Sequence, residues 1–476
     1  MRRPAAVSAL AAILALAGRS AVADDVDLIP AGVLAPSGNA VKPATSSGVL
    51  PAMDTRSRLR LKAFAEDAFS LGSEPRHGLV PYPAPLPVDW QNRTSADLLA
   101  TWKPSSAVTF AWSDRINVFE QRGEKVVSAD TIRNDLREAS VTWEPGPATY
   151  LEAGRINVRN GAALGFNPTD FFKTRTLVGQ AALDPSVLRQ NRLGALMVRA
   201  QSIWRGGSAS VAYAPKVAGP SPIAPNDPVG VDPHFDATNA AHRISCTLSF
   251  DLLDLSPQLL GYFELGRSKA GANVSRSIGN AVVAYAEWAG GPEQNLIARA
   301  AAFGREVGTL PPSTPALPPT STNVAFRNDV AAGFSWTLAA AVTLNAEYHF
   351  HEAGFARSDW SRWFRLGSTP GAPPPLTGTL WFVRGYASDQ QEPVAAHQAF
   401  IRVAWPQAIV SELEIDAFAF VSLLDGSALS QVSASYFVSD AWTAALYASA
   451  NLGNARSEHG SSPQEGNLIL QLTRYL

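Results

Sequence analysis

One cysteine in 476 residues cannot close an internal disulfide, so Cys246 excludes a disulfide-stapled scaffold. Charge is scarce: Asp, Glu, Lys and Arg make up 17% of the chain, against roughly 25% in soluble globular domains. The formal net charge of -2 offers no basic face, which excludes a nucleic-acid partner. Long apolar runs are missing as well. The run from Ala5 to Ala17 falls short of the about 20 residues a helix needs to cross a bilayer, and no later stretch qualifies. Sustained helical periodicity is rare throughout.

The first residues carry Arg2 and Arg3, the short apolar run, and Ala21-Val22-Ala23 ahead of Asp24. That order of charge, apolar core and small residues predicts a secretory signal peptide over 1–23. Residues 24–56, rich in Ala, Pro, Ser and Gly, read as a flexible leader on the periplasmic side, too short for a folded plug. A single domain over 57–476 follows.

Within that domain the period is two. In "RISCTLSFDL", Ile244, Cys246, Leu248 and Phe250 share one face; in "TLNAEYHF", Leu344, Ala346, Tyr348 and Phe350 do; in "NDVAAGFSWT", Val330, Ala332, Phe334 and Trp336 do. Faces this apolar must meet a protein core or lipid. Short turns at "KPSS", "EPGP", "RGGS", "LSPQ", "AGGPEQ", "TLAA", "PQA" and "VSDA" alternate with long connections at 161–192, 216–240, 305–323 and 352–393. Trp102, Trp143, Trp204, Trp288, Trp336 and Trp405 fall just before short turns and Trp442 just after one, as an interfacial girdle requires. The pattern predicts an all-β fold: a transmembrane up-and-down antiparallel β-barrel of about 18 strands, with tight periplasmic turns and long extracellular loops. The first strand lies near Arg58–Phe69 and the last is "LILQLTRY"; "TGTLWFVRGY", Thr377 to Tyr386, is placed inside a long loop, a strand being the alternative.

On inward parity fall Arg115, Arg155, Asn157, Arg159, Arg199, Arg243, Arg299 and Arg402, with Glu138, Glu264 and Glu347, while Ile156 and Val158 suit the lipid face. Two readings stand: an arginine-lined lumen that attracts anionic solutes, or lumen salt bridges that stiffen the wall without solute preference. The stretch "GRINVRNGAALGFNPTDFF" has no phosphate-loop spacing. Its "GRINVRN" reads as the top of an ascending strand and the rest as an inward-folding constriction loop. There Gly161 and Gly165 permit a reversal, Asn167-Pro168 sets a turn, Phe171 and Phe172 pack on the wall, and Asp170 meets Arg155 or Arg159. His349, His351 and Glu347 share a face that can suit a metal but read as polar lumen residues. Asp227, Asp232 and Asp236 match no EF-hand spacing and read as solvated loop charges. No catalytic arrangement, cofactor or metal is expected.

The terminal "NLILQLTRYL" resembles the last strand of bacterial outer-membrane proteins, which the assembly machinery of that membrane reads, though it ends in Leu476 where Phe is usual. From Arg58 to Leu476 the chain is similar in architecture to Gram-negative porin-like barrels. Its strand count and inward arginines such as Arg155 and Arg159 resemble the alginate-export type. That resemblance implies outer-membrane localisation, contact with the lipid bilayer, and passage of an anionic solute past Arg115, Arg155, Arg159, Arg199 and Arg243. The expected function is passive passage of small or anionic solutes; the alternative is a non-conducting structural or assembly barrel.

Overall fold

The computed structural model describes residues 58–476 apart from 76–77, 83, 86–88, 123–131, 180, 224–228, 231–232, 253–254, 265–266, 313–316, 318–322 and 370–373. The signal peptide, the leader, Asp227 and Asp232 lie outside the described residues.

Eighteen strands run in sequence around a closed, up-and-down antiparallel barrel. They are β1 (Arg58–Ser73), β2 (Trp90–Ser105), β3 (Val108–Arg122), β4 (Ile132–Gly146), β5 (Thr149–Ile156), β6 (Ala195–Trp204), β7 (Gly207–Ala214), β8 (Arg243–Phe250), β9 (Gln258–Glu264), β10 (Lys269–Ile278), β11 (Val282–Glu293), β12 (Ala325–Thr337), β13 (Thr343–His351), β14 (His397–Trp405), β15 (Leu413–Ser422), β16 (Ala428–Ser439), β17 (Trp442–Leu452) and β18 (Gly466–Tyr475). β18 returns antiparallel to β1, pairing Phe64 with Tyr475 through Ser73 with Gly466, so neither edge is left open. Among the described residues no helix is long and apolar enough to cross a membrane.

Alternation explains the two faces. Ile244, Phe250, Tyr348, Phe334, Trp336, Leu468, Leu470 and Leu472 point outward and are exposed, while Asn345, Glu347, His349, Gln471 and Thr473 point inward and are buried. Trp102, Trp143, Trp204 and Trp336 ring the short-turn rim on the outer face. Arg474 also lies on that face, its guanidinium 5.5 Å from the Trp442 ring, which shields the charge at the rim.

One turn differs from expectation. "AGGPEQ" is not a turn: Gly290 to Glu293 continue β11 against Asn328 to Ala325, and the reversal comes earlier, at Gly279 with φ +62. Trp288 therefore sits in the upper half of β11, where its Nε1 donates to Asn328 Oδ1 at 3.1 Å. A Pro in strand pattern is what misleads here; Pro292 is tolerated at the exposed end of the ladder.

The wall is uneven. β2, β3 and β4 have 16, 15 and 15 residues, whereas β5, β6 and β7 have 8, 10 and 8. Of "GRINVRN" only Gly154 to Ile156 belong to β5, which ends there because its partner β6 begins at Ala195. The upper part of β4 is met instead by Val229–Gly230 of the 215–242 loop, parallel to Ile132–Arg133.

The long loops carry helices: α1 (Pro185–Gln190), α2 (Phe235–Thr238), α3 (Leu296–Glu306), α4 (Arg357–Gly367) and α5 (Pro374–Gln390). Thr377–Tyr386 lies in a long loop, as expected, and is helical. Thr377, Leu380, Val383 and Ala387 recur at helical spacing and are buried. With Leu296, Phe303, Trp360, Trp363 and Phe364, the apolar Leu380, Val383 and Ala387 form an apolar cap. Burying a large apolar side chain contributes roughly 1.5–3 kcal/mol, which suffices to hold these helices together above the strands.

Candidate functional site: the lumen and the loop that crosses it

Loop 157–194 leaves β5, crosses the lumen and returns to β6. Its first half docks on carboxylates of the far wall. Glu287 of β11 accepts from Ala163 N at 2.6 Å and Thr169 Oγ1 at 2.9 Å. Glu347 of β13 accepts from Leu164 N at 2.6 Å, Gly165 N at 2.9 Å and Tyr285 OH at 2.6 Å, with His349 Nε2 at 2.7 Å. Two glycines make this approach possible. A Cβ at Gly161 (φ +84) would lie 2.3 Å from Glu287 Oε1, and one at Gly165 would lie 2.7 Å from both His349 Cε1 and Phe400 Cγ.

Both phenylalanines pack on inward wall residues. Phe171 stacks on Tyr262 at 4.9 Å, beside Leu260 and Ala289. Phe172 joins Ile156, Val158, Met197 and Ala212, with the Arg243 guanidinium 4.8 Å from its ring. Ile156 and Val158 are thus buried under the loop and do not face lipid, a correction: the outward parity of β5 is that of exposed Leu151 and Ala153, which turns Ile156 inward, and Val158 lies in the loop beyond the strand. Asn167 donates Nδ2 to Ala163 O and accepts on its own carbonyl from Lys173 Nζ at 2.7 Å. Burial beside Phe166 lowers the Lys173 ammonium to about 8.

Asp170 meets neither Arg155 nor Arg159. Its carboxylate takes a two-pronged pair from Arg192, at 2.9 and 3.0 Å, with Arg189 at 3.4 Å. Asp170 and Arg192 are about 1% exposed. The loop therefore closes on itself, and the wall arginines are left to other work.

The second half of the loop docks by the opposite polarity. Arg93 Nη1 of β2 donates to Gly179 O at 3.0 Å, and Arg137 Nη1 of β4 to Asn191 Oδ1 at 3.1 Å. Gln431 of β16 accepts from Leu183 N at 2.9 Å, Arg402 of β14 pairs with Asp184, and Ala181 packs on Ala68 and Ile469. Arg137 reaches inward because β3 and β4 slip in register at Ser113–Asp114, which leaves it as the extra residue of a bulge beside Glu138.

The arginines singled out by parity divide accordingly. Arg115 is inward and buried, paired with Glu66 and, at 3.4 Å, with Asp97. Arg199 is inward and paired with Glu152, and Arg402 also reaches Asp416 at 2.7 Å. Arg243 is buried and donates to Thr238 O. Arg155 continues the parity of exposed Leu151 and Ala153, and it is buried only because loop 215–242 covers it: it donates to Gly194 O at 2.9 Å and to Pro233 O, against the Phe235 ring. Asn157 is a loop residue; its Nδ2 donates to Arg189 O and Gln190 O, and its Oδ1 accepts from Arg192 Nε at 2.8 Å. Arg159 is exposed and outside any strand. Arg299 belongs to α3, where it bridges Glu293 at 3.1 Å and Glu392 at 2.7 Å. Asn157, Arg159 and Arg299 are misplaced because parity assumes a strand where the chain has left the sheet, whereas Arg155 is within β5 but on its outward parity.

Glu287, Arg93, Arg137 and Arg192 are the anchors that sequence reasoning missed. Glu287 was visible in principle, being the acid between outward Ala286 and Trp288; Arg192 lies in a loop without period. His351 Nδ1 and Asp329 Oδ1 are 2.7 Å apart, and among the described residues no group of three His, Cys, Asp or Glu could hold a metal ion. Asp236 stands in the first turn of α2.

No family model matches the sequence, and no curated protein matches it. Solved structures give likenesses at low identity. OccK8 (OprE) of Pseudomonas aeruginosa is 9% identical with a TM-score of 0.49, over 88% of this chain and 98% of that one. OccK11 (OpdR) of the same organism is 9% identical with a TM-score of 0.48, over 88% and 96%. A triple mutant of Rhodopseudomonas blastica porin is 8% identical with a TM-score of 0.39, over 88% and 100%. Likenesses of this degree say nothing about solute or activity.

Proposed function

We propose that the protein is a porin-like channel of a Gram-negative outer membrane, passing small solutes by diffusion through a lumen narrowed by loop 157–194. The observation that carries this reading is a closed 18-strand barrel with an apolar outer belt, crossed internally by a loop bonded to opposite walls. A sheet closed on itself leaves no edge, so it satisfies its backbone in lipid, and a barrel of this size is wide enough to hold water. Asn167, Asp170, Phe171 and Phe172 act as structural members of the constriction. Passage requires no covalent step, so no catalytic residue or cofactor enters.

An anion-selective, arginine-lined lumen of the alginate-export kind draws less support. Arg115, Arg199 and Arg402 each face a carboxylate, so their charge is largely spent within the wall. Purified protein in planar bilayers should give discrete conductance steps; bilayers that stay silent over a range of voltages would contradict the channel. The second reading, a sealed structural or assembly barrel, draws on the depth at which the crossing loop is buried, with Thr169, Asp170 and Arg192 almost wholly inaccessible. A stable periplasmic partner recovered from a non-conducting barrel would favour it.

A further inference from the structure

A cavity of about 670 Å³ opens at the long-loop mouth, between α4 on one side and loops 423–427 and 453–465 on the other. Its lining from α4 and the Ser368 that caps it is Arg357, Trp360, Ser361, Phe364, Arg365 and Ser368, a spacing of three and four that gives the whole of one helix face to the cavity. Trp360 and Phe364 are 4% and 5% exposed and form a flat apolar floor, stacked at 5.6 Å. Arg357 and Arg365 are exposed at either end of that floor. They are eight residues apart, so about 12 Å along the helix. Arg456 faces them from the opposite loop, its Nη2 3.5 Å from Ser368 Oγ.

The charge here is one-sided, unlike that of the barrel wall. Among the described residues none of the three arginines has a carboxylate partner. The one acid in the lining, Asp425, is already engaged. Its Oδ1 accepts from Ser427 N at 3.0 Å and Oγ at 2.6 Å, and its Oδ2 accepts from Glu458 N at 2.7 Å.

We propose that this groove is a capture site for small organic anions that carry a flat ring. Guanidinium groups hold a carboxylate or phosphate by paired hydrogen bonds, and the Trp360–Phe364 floor takes the ring. The cavity volume lies within the range of small-ligand sites. All the lining comes from loops above the strands and none from the outer apolar belt, so the ligand arrives from water and not as a lipid headgroup. The proposal rests on the channel reading only for its setting, as a point where solute is concentrated ahead of the crossing loop.

The test uses the full chain in detergent, with phenyl phosphate and inorganic phosphate as probes, followed by tryptophan fluorescence and calorimetry at low salt. Phenyl phosphate should bind saturably at one site. Inorganic phosphate, which lacks the ring, should bind at least fivefold more weakly. R357Q/R365Q should weaken phenyl phosphate at least tenfold, and R456Q, which leaves α4 untouched, at least threefold. Retained heat-modifiable mobility on gels shows that each variant is still a folded barrel. Absence of saturable binding to the unmodified protein, equal affinity for the two probes, or unchanged affinity in both variants would overturn the proposal. Saturable binding by a protein silent in bilayers would remove the channel reading alone; conductance without binding would remove this proposal alone.

Discussion

The two walls that grip loop 157–194 do so with opposite charges. On the β11–β13 side, Glu287 and Glu347 accept backbone N–H groups from residues 163–165. On the β2–β4 side, Arg93 and Arg137 donate to a backbone carbonyl and a side-chain amide from residues 179 and 191. A loop in a confined lumen must satisfy every polar backbone group. The charged wall residues meet donors in its first half and acceptors in its second, while the second-half donor Leu183 N goes to the neutral Gln431. What this teaches is that the sign of an inward charge here reports on the loop before it reports on any solute. The mouth groove is the counter-example, since its arginines have no such occupation.

The largest effect should come from the acidic wall. E287A/E347A leaves several buried donors unpaired, for a loss of loop docking on the order of 5 kcal/mol. The barrel should still fold and run heat-modifiably on gels, while limited proteolysis begins to cut within 161–172. Loss of the folded barrel itself would mean that the walls need the loop, and would break the comparison.

R192A comes next. It strips Asp170 of its two-pronged partner and leaves only Arg189 at 3.4 Å; breaking a buried pair costs roughly 3–5 kcal/mol, and the remaining arginine holds the loss to the lower end of that range or below it. The same cleavage should appear, at lower protease sensitivity than in E287A/E347A. Cleavage no faster than in the unmodified protein would show that Asp170–Arg192 is not a closure of the loop.

A smaller, reversible effect should follow pH. Lys173 is pushed down to about 8 from an ordinary 10.5 by burial. The released loop therefore binds more protons than the docked loop between those values, and docking strengthens as pH rises through that window. Hydrogen-exchange protection of residues 161–174 should increase from pH 8 toward 10.5, after correction for intrinsic exchange. Protection that falls over this window would contradict the placement of Lys173. R159A should do least: exposed and off-strand, it should leave conductance and ion selectivity unchanged, and a marked loss of anion preference would restore the arginine-lined lumen.

The barrel was legible because its signal is strictly local. Leu468, Leu470 and Leu472 alternate with Ile469, Gln471 and Thr473 wherever a strand exists, so parity, strand number and closure all follow from period two. What parity cannot register is where a strand stops. Asn157 carries the pattern one step past Ile156, yet β6 has no residue to pair with it, so Asn157, Val158 and Arg159 fall to the loop. A bulge has the same effect, since Arg137 and Glu138 point inward from adjacent positions. The inward bias of arginine was visible, but its partners come from residues distant in sequence: Arg115 meets Glu66, and Arg93 meets Gly179. In "GAALGFNPTDFF", inward folding and the packing of both phenylalanines were legible from composition and turn chemistry. The partner of Asp170 was not, because Arg192 reaches it from the far end of the same loop.

The central claim is that loop 157–194 narrows a water-filled lumen. Single-channel recordings of the unmodified protein and of a variant lacking 161–172, under the same salt and voltage, test it most directly. The variant should conduct in larger steps than the unmodified protein; steps of equal size would contradict the claim.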